Sequence, residues 1–309
     1  MKWGSSSMLI HNNREEFQEL ISVISKEKGI EEWIVEKDYY VTIILKYLTQ
    51  ALPDLVFKGG TSLSKCYRII SRFSEDIDLT TYAKPTEGQK RNIKSRILAI
   101  IQELNLKLDN PDDILSRRNY NKYIIKYKSV IPNENDFIES QIILETVYKT
   151  IAFPVVQMPV NNIIGDYLSE KNLPFIENYQ LEPFVMPVQE LSRTFADKIF
   201  AICDYYLAAK EIRNSRHIYD IYMLLPTISL NEQFRALVVN IRENRAVSPV
   251  CYSAKAGQNP NQILKNIISE RFYEHDYNNI TKKLLLEDVS YNQGVQALEK
   301  VIESKAFEF

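Results

Sequence analysis

The stretch FKGGTSLSKCYRIISRFSEDIDL, residues 57–79, constrains this chain more than any other. Only 8 of 309 residues are glycine, yet Gly59 and Gly60 stand side by side where a short apolar run ends and a helical pattern begins. Glycine there permits backbone conformations and close approaches that a side chain would block. Leu63, Tyr67 and Ile70 trace the apolar stripe of the helix that follows, which Thr61 or Ser62 could cap. DIDLTTY then reads as a strand. Side chains alternate along a strand, so Asp76 and Asp78 project to one side while Ile77 and Leu79 anchor the other. Two carboxylates so close repel unless a cation sits between them. Hard oxygen ligands suit Mg2+ or Mn2+, which completes its shell with phosphate oxygens. A glycine turn opening a helix offers backbone amides to those phosphates, with hydroxyls from Thr61 and Ser62. Each feature alone fits a tight turn or a solvated acid pair. Their conjunction on one unit favours a metal and phosphate site.

The rest of the chain reads as an α/β (α+β) fold: N-terminal helices over 1–50, a mixed-sheet core over 51–170, and a helical C-terminal region over 171–309 that contributes to the site. Two helical patterns fill 14–50, the second with Trp33, Val41, Ile44 and Leu48 in register. A polar helix covers about 86–105. YNKYIIKYKSV and ESQIILETVYKT form an antiparallel strand pair around the turn residues Pro132 and Asn133. From about 187 onward every periodic segment is helical, and three prolines make 171–187 the expected linker. The net charge of −2 announces neither a nucleic-acid nor a membrane partner, so any basic patch must be local. Three cysteines without paired spacing fit a reducing compartment and neither a disulfide framework nor a zinc site. With no signal-peptide pattern and no apolar run of about 18 residues, the expectation is a cytoplasmic protein without a membrane partner.

The order Gly-Gly, then Asp-x-Asp, resembles the signature of the DNA polymerase beta-like nucleotidyltransferase superfamily. FKGGTSLSK followed by RFSEDIDL is similar in detail to the AbiEii/AbiGii-type toxin nucleotidyltransferases of toxin-antitoxin and abortive-infection systems. VEKDYYVTIIL, RTFADKIFAICDYY and RHIYDIYMLL also resemble segments of that family, so the likeness spans about 33–225. Two features depart from the superfamily pattern: the gap from Gly60 to Asp76 is long, and Lys58 stands where an apolar residue often precedes the glycines. The resemblance implies transfer of a nucleoside monophosphate from an NTP to an acceptor hydroxyl, with pyrophosphate leaving. Asp76 and Asp78 would hold the metal, and a third carboxylate would complete the site and help deprotonate the acceptor. The acceptor implied is RNA, at the 3' end of tRNA, and the partner a cognate antitoxin protein.

Three further carboxylate or ammonium groups sit where apolar residues belong. Glu145 shares a strand face with Ile143 and Val147, which is costly unless it meets a cation; it is the candidate third carboxylate, with a solvated sheet edge as the alternative and Glu139 as the substitute. Lys198 lies at helical spacing from Leu191, Phe195, Ile202 and Tyr205 and would suit the triphosphate. Asp220, one turn from both His217 and Leu224, resembles the late acidic residue of the family; it could position substrate or form a structural salt bridge with Lys198. His217 fits a packed neighbour better than a base. Arg72 and Ser74 could contact the triphosphate or brace the loop. Glu36, Lys37 and Asp38 match the family's N-terminal motif or form a surface helix turn. RRNYNKYIIKYK, with five basic residues and three tyrosines, could grip RNA or be the wet face of a strand. KRNIKSR at 90–96 adds a second local positive patch. Two other functions fit the same fold: modification of a protein hydroxyl, and a non-catalytic nucleotide- or antitoxin-binding module.

Overall fold

The computed structural model describes residues 9–72, 74, 76–131, 140–173 and 179–309. The candidate Glu139 and the turn residues Pro132 and Asn133 lie outside them. Helices α1 (Arg14–Lys28) and α2 (Glu32–Ala51) lead into strand β1 (Leu55–Lys58), helix α3 (Gly59–Lys65) and strand β2 (Ile77–Thr81). Helix α4 (Glu87–Glu103) precedes strands β3 (Lys107–Leu108), β4 (Tyr120–Lys126), β5 (Gln141–Val147) and β6 (Val155–Val160), then helix α5 (Ile163–Glu170) and strand β7 (Phe184–Gln189). The rest is helical: α6 (Leu191–Leu207), α7 (Arg216–Leu224), α8 (Glu232–Ala246), α9 (Pro260–Ser269), α10 (Glu274–Asn279) and α11 (Tyr291–Glu303).

The seven strands form one mixed sheet in the order β3-β4-β5-β2-β1-β7-β6. β2 runs antiparallel to β1 and parallel to β5, and β7 runs parallel to β1. The sheet therefore reaches past residue 170: β7 lies in the segment expected to be a linker. Pro159 and Pro187 hid β6 and β7 from a reading of the sequence, because proline removes a ladder donor and argues against a strand. Here β6 is an edge strand, and Pro187 sits opposite Gln157 in the β6–β7 pair.

The buried apolar residues form two hydrophobic cores. On one face Leu55, Phe57, Ile77, Leu79, Ile142 and Leu144 pack with residues of α1, α2, α4 and α5. The second core gathers Phe195, Ile199, Ile218, Tyr219 and Leu298 of the C-terminal helices with Leu63 of α3. Ile77 and Leu79 are fully buried, each worth about 1.5–3 kcal/mol relative to exposure. They lock β2 in register, since a slip of one residue would turn its acids into the core.

Candidate active site

A cavity of about 730 Å3 lies between the other sheet face and the C-terminal helices. Strand alternation decides what lines it. Asp76, Asp78 and Thr80 enter from β2 and the residue just before it, Glu145 and Val147 from β5, and Tyr120 from β4. Asp78 sits directly beside Glu145 in the parallel β2–β5 pair and opposite Lys58 in the β1–β2 pair. The three acids anticipated from the sequence thus share one wall. Tyr120 donates its hydroxyl to Glu145 Oε1 at 2.8 Å. Burial, then Glu145 and Asp78, raise the Tyr120 phenol, which stays protonated and able to donate.

The glycine pair makes room for that wall. Gly59 opens α3 with a left-handed φ of 78°, and a Cβ there would lie 2.0 Å from Asp78 Oδ2. A Cβ on Gly60 would lie 2.6 Å from Arg72 Nη2 and 2.9 Å from Ser74 Oγ. The close approach that these glycines serve is therefore between the backbone and the side chains of Asp78, Arg72 and Ser74, and both glycines line the cavity. Gly59→Ala adds both a strained φ, costing about 1–2 kcal/mol, and a clash with Asp78. Because an ångström of misplacement at a reacting centre can cost about 100-fold in rate, we expect transfer activity in this variant to fall by that order. The melting temperature should drop by several degrees. A variant with wild-type turnover would show that Asp78 needs no fixed seat.

Facing the acids, Lys198 of α6 donates to Asp220 Oδ2 at 2.5 Å. Arg72 forms a fork on the same carboxylate, Nε to Oδ1 at 2.6 Å and Nη2 to Oδ2 at 2.8 Å. Asp220 is fully buried and does not reach the cavity; Arg72 and Lys198 line it. Burial alone would raise the Asp220 carboxyl, but Arg72 and Lys198 outweigh it and hold it well below the usual range. Burial lowers the Lys198 ammonium, Asp220 opposes this, and Arg72 reinforces it, leaving a net lowering. His217 also lines the cavity, with its ring stacked on Tyr205 and Nδ1 buried without a hydrogen-bond partner. Burial, then Lys198 and Arg216, hold it well below the ordinary imidazole range, so it is neutral at pH 7. Those are the surroundings of a packed neighbour.

A second charged network borders the N-terminal end of α6. Asp197 accepts from Arg193 Nε and Arg245 Nη1, each at 2.9 Å, and Arg245 also reaches Asp204 at 2.8 Å. Burial would raise Asp197, yet Arg193, Arg245 and Lys58 together bring it below its ordinary value. Among the described residues, Lys58, Lys149 and Arg216 line the cavity with no hydrogen bond or ion pair of their own.

The model of the family described as nucleotidyl transferase AbiEii toxin, type IV toxin-antitoxin system, matches residues 44–304. The chain belongs to this family. It is a nucleotidyltransferase toxin, and the family implies a cognate antitoxin. A search of curated proteins found no match. Among solved structures it is similar to MenT4, a nucleotidyltransferase toxin from Mycobacterium tuberculosis H37Rv. The two share 14% identity with a TM-score of 0.51, over 92% of this chain and 88% of that one. This is a likeness of fold.

Within this AbiEii-family fold, some motif residues lie elsewhere than expected. Thr61 and Ser62 are buried and do not line the cavity. Thr61 Oγ1 meets Ser74 Oγ at 2.9 Å, while Ser62 donates to the Gly59 carbonyl at 2.8 Å, and neither caps α3. α3 starts at Gly59 itself, so the two hydroxyls already lie within its first turn and are spent on the loop. Glu36, Lys37 and Asp38 are not a surface turn: Glu36 and Lys37 are buried. Glu36 accepts from Ser129 Oγ and the Val130 amide, and Asp38 from Lys65 and the Ile163 amide. Of the three tyrosines in 117–128 only Tyr120 lines the cavity; Tyr123 and Tyr127 are in the core. The patch at 90–96 is partly spent, with Lys90 on Glu87 and Asn119 and Lys94 on the Ile114 carbonyl. No helix among the described residues is long and apolar enough to cross a membrane.

Donor chemistry tests whether these residues fit a divalent ion. Asp76, Asp78 and Glu145 are hard oxygen donors on one face, although among the described residues no three such side chains close into a ready-made metal cage. Mg2+ is commonly bound through one or two carboxylates with substrate phosphates completing its shell, and the acid pair fits that mode.

Proposed function

We propose that this toxin transfers a nucleoside monophosphate from an NTP to an RNA hydroxyl at the 3' end of tRNA, in a reaction that depends on Mg2+ or Mn2+. The observation that carries the reading is the sharing of one cavity by Asp76, Asp78 and Glu145, the buried Lys198 ammonium and three cations, Lys58, Lys149 and Arg216, that make no hydrogen bond or ion pair among the described residues. An anionic substrate is the natural complement of those cations. Asp76 and Asp78 would hold the metal, which when bound neutralises triphosphate charge.

The chain's own residues divide the remaining tasks. Gly59 and Gly60 present backbone to the triphosphate, and Ser74, Arg72 and Lys198 border the same end of the cavity. Lys198 neutralises charge that develops on the leaving pyrophosphate, with Asp220 fixing its direction. Glu145 takes the acceptor proton on Oε2, since Oε1 already accepts from Tyr120. The acceptor oxygen bonds to the α-phosphorus as the bridge to the β-phosphate breaks. Such chemistry rests mainly on positioning and on charge complementarity in the transition state. NTPs and RNA meet in the cytoplasm, where we place the reaction.

The test is incubation of the full chain with each of four α-labelled NTPs, Mg2+ and total RNA or cell lysate. Label on RNA is expected. Label on protein would instead establish protein modification, and label on neither would leave a binding module.

A further inference from the structure

One row of paired residues crosses the sheet. Lys58 stands opposite Asp78, Asp78 beside Glu145, and Glu145 opposite Lys122. The glycine turn that opens α3 is at the β1 end of this row and β4 is at the other, three strand spacings or about 14 Å away. β4 delivers Tyr120 to the cavity. Tyr120 begins β4 opposite Val147 and reaches diagonally to Glu145, where its hydroxyl is held at 2.8 Å. The phenol is thereby fixed, yet 46% of the residue stays exposed, and no ring among the described residues stacks on it. The other tyrosine lining the cavity, Tyr205, is already stacked on His217. A single exposed aromatic is ordinary on a protein surface. This one lies inside the reaction cavity, hydrogen-bonded to the acid that takes the acceptor proton.

That hydrogen bond sets where an acceptor must sit. The attacking hydroxyl gives its proton to Glu145 Oε2 and so lies within hydrogen-bond reach of the carboxylate whose other oxygen holds Tyr120. In a 3'-terminal ribonucleotide the base hangs from the sugar carbon two positions along the ring from the one that bears this hydroxyl. It therefore comes against the side chains next to Glu145. On the β1 side those are Asp78 and the glycine turn, which the metal and triphosphate occupy; on the β4 side it is the Tyr120 ring. We infer that Tyr120 is the stacking platform for the 3'-terminal base of the acceptor RNA, a specificity residue that selects a single-stranded end. This rests on the transfer reaction proposed above and adds the recognition of its acceptor. Bases of any sequence stack on tyrosine rings, and RNA is recognised mainly where its bases are splayed out. The surroundings suit the strand attached to that base. The Tyr148 amide donates to the Asn119 carbonyl at 2.8 Å, which sets the backbone of Lys149, another cavity residue, beside the segment that carries the exposed Arg117 and Arg118. Basic residues around an aromatic ring are the usual grip on a single strand.

The experiment measures KM and kcat for the wild-type chain, Tyr120→Ala, Tyr120→Leu and Tyr120→Phe with labelled NTP, Mg2+ and tRNA, either intact or with its 3'-terminal base removed. For Tyr120→Ala the KM for intact tRNA should rise about 10-fold, within the range of one lost base stack, while the KM for NTP stays within about twofold. Tyr120→Phe keeps the flat face and should hold the tRNA KM within about twofold, but its kcat should fall about 5-fold because Glu145 loses a hydrogen bond. A role confined to orienting Glu145 would instead lower kcat in all three variants and leave every KM alone. Tyr120→Leu keeps apolar bulk without the flat face and should match Tyr120→Ala, so it decides the matter if Tyr120→Ala does not fold. Removing the terminal base should raise the wild-type KM about 10-fold and leave that of Tyr120→Ala unchanged. A wild-type tRNA KM in Tyr120→Ala or Tyr120→Leu, a rise in the KM for NTP in its place, or a wild-type KM indifferent to the terminal base overturns the stacking alone. A wild-type chain that labels no tRNA removes the transfer reading and the stacking together.

Discussion

Replacing Asp78 with Asn is expected to cut nucleotide transfer about 10³-fold, since metal-assisted charge stabilisation contributes several kcal/mol and each 1.36 kcal/mol is tenfold in rate. The fold should not suffer. Asp78 stands beside Glu145 in the sheet and shares its face with Asp76. Adjacent strands lie about 4.8 Å apart, a distance at which two unit charges repel by as much as roughly 3 kcal/mol at an effective dielectric of 20. Neutralising one of them relieves that repulsion, so the melting temperature should hold or rise. Burial of Ile77 and Leu79, which the substitution leaves untouched, keeps the strand in place. The combination of lost turnover and retained stability is the mark of a residue kept for chemistry at some cost to the fold. Wild-type turnover in Asp78→Asn would remove the acid pair from the mechanism. A fall in melting temperature of more than about 5 °C, beyond the 2–4 °C that 1 kcal/mol moves a large domain, would make Asp78 a structural residue.

The face of the sheet on which chemistry sits was legible in the sequence because strand alternation is local. Ile77 and Leu79 against Asp76 and Asp78, and Leu144 against Glu145, follow from period 2 alone, and the register places Asp78 beside Glu145. Lys198 and Asp220 were visible as charges inside apolar helical stripes, and they do meet. That Arg72 shares the same carboxylate is a contact across 148 positions that no spacing encodes. The roles offered to Thr61 and Ser62 depended on where α3 begins, and a shift of two residues turns a hydroxyl from a cavity to a loop carbonyl. Arg193, Asp197 and Arg245 escaped notice because charges on amphipathic helices are ordinarily solvated, and only the packing of α8 against α6 makes them a network. The sheet's far side was missed for a different reason: prolines in β6 and β7 carry a local signal against strand that pairing overrides.

Asp220→Ala should destabilise the protein by about 3–5 kcal/mol, the usual cost of removing one partner from a buried ion pair, and should abolish transfer as well. Two buried cations lose the carboxylate they share at once: the Arg72 fork and the Lys198 ammonium are both left without it beside the cavity. Lys198→Ala gives the informative contrast. It also abolishes transfer, but the Arg72–Asp220 fork survives, so the loss of stability should be the smaller of the two. Chemical denaturation of both variants separates the positioning role of Asp220 from the direct role of Lys198. If Asp220→Ala remained within about 1 kcal/mol of wild type, a typical surface-level effect, the triad would not be the anchor described. The pH dependence follows from the depressed Asp220 carboxyl. A carboxyl lowered on folding contributes stability that is fully present above its unfolded pKa, about 3.9, and is lost as pH falls toward the folded value. The stability gap between wild type and Asp220→Asn should therefore be constant from about pH 5 to 8 and shrink only in stronger acid. A gap that closed near neutrality would assign the loss to another titrating group.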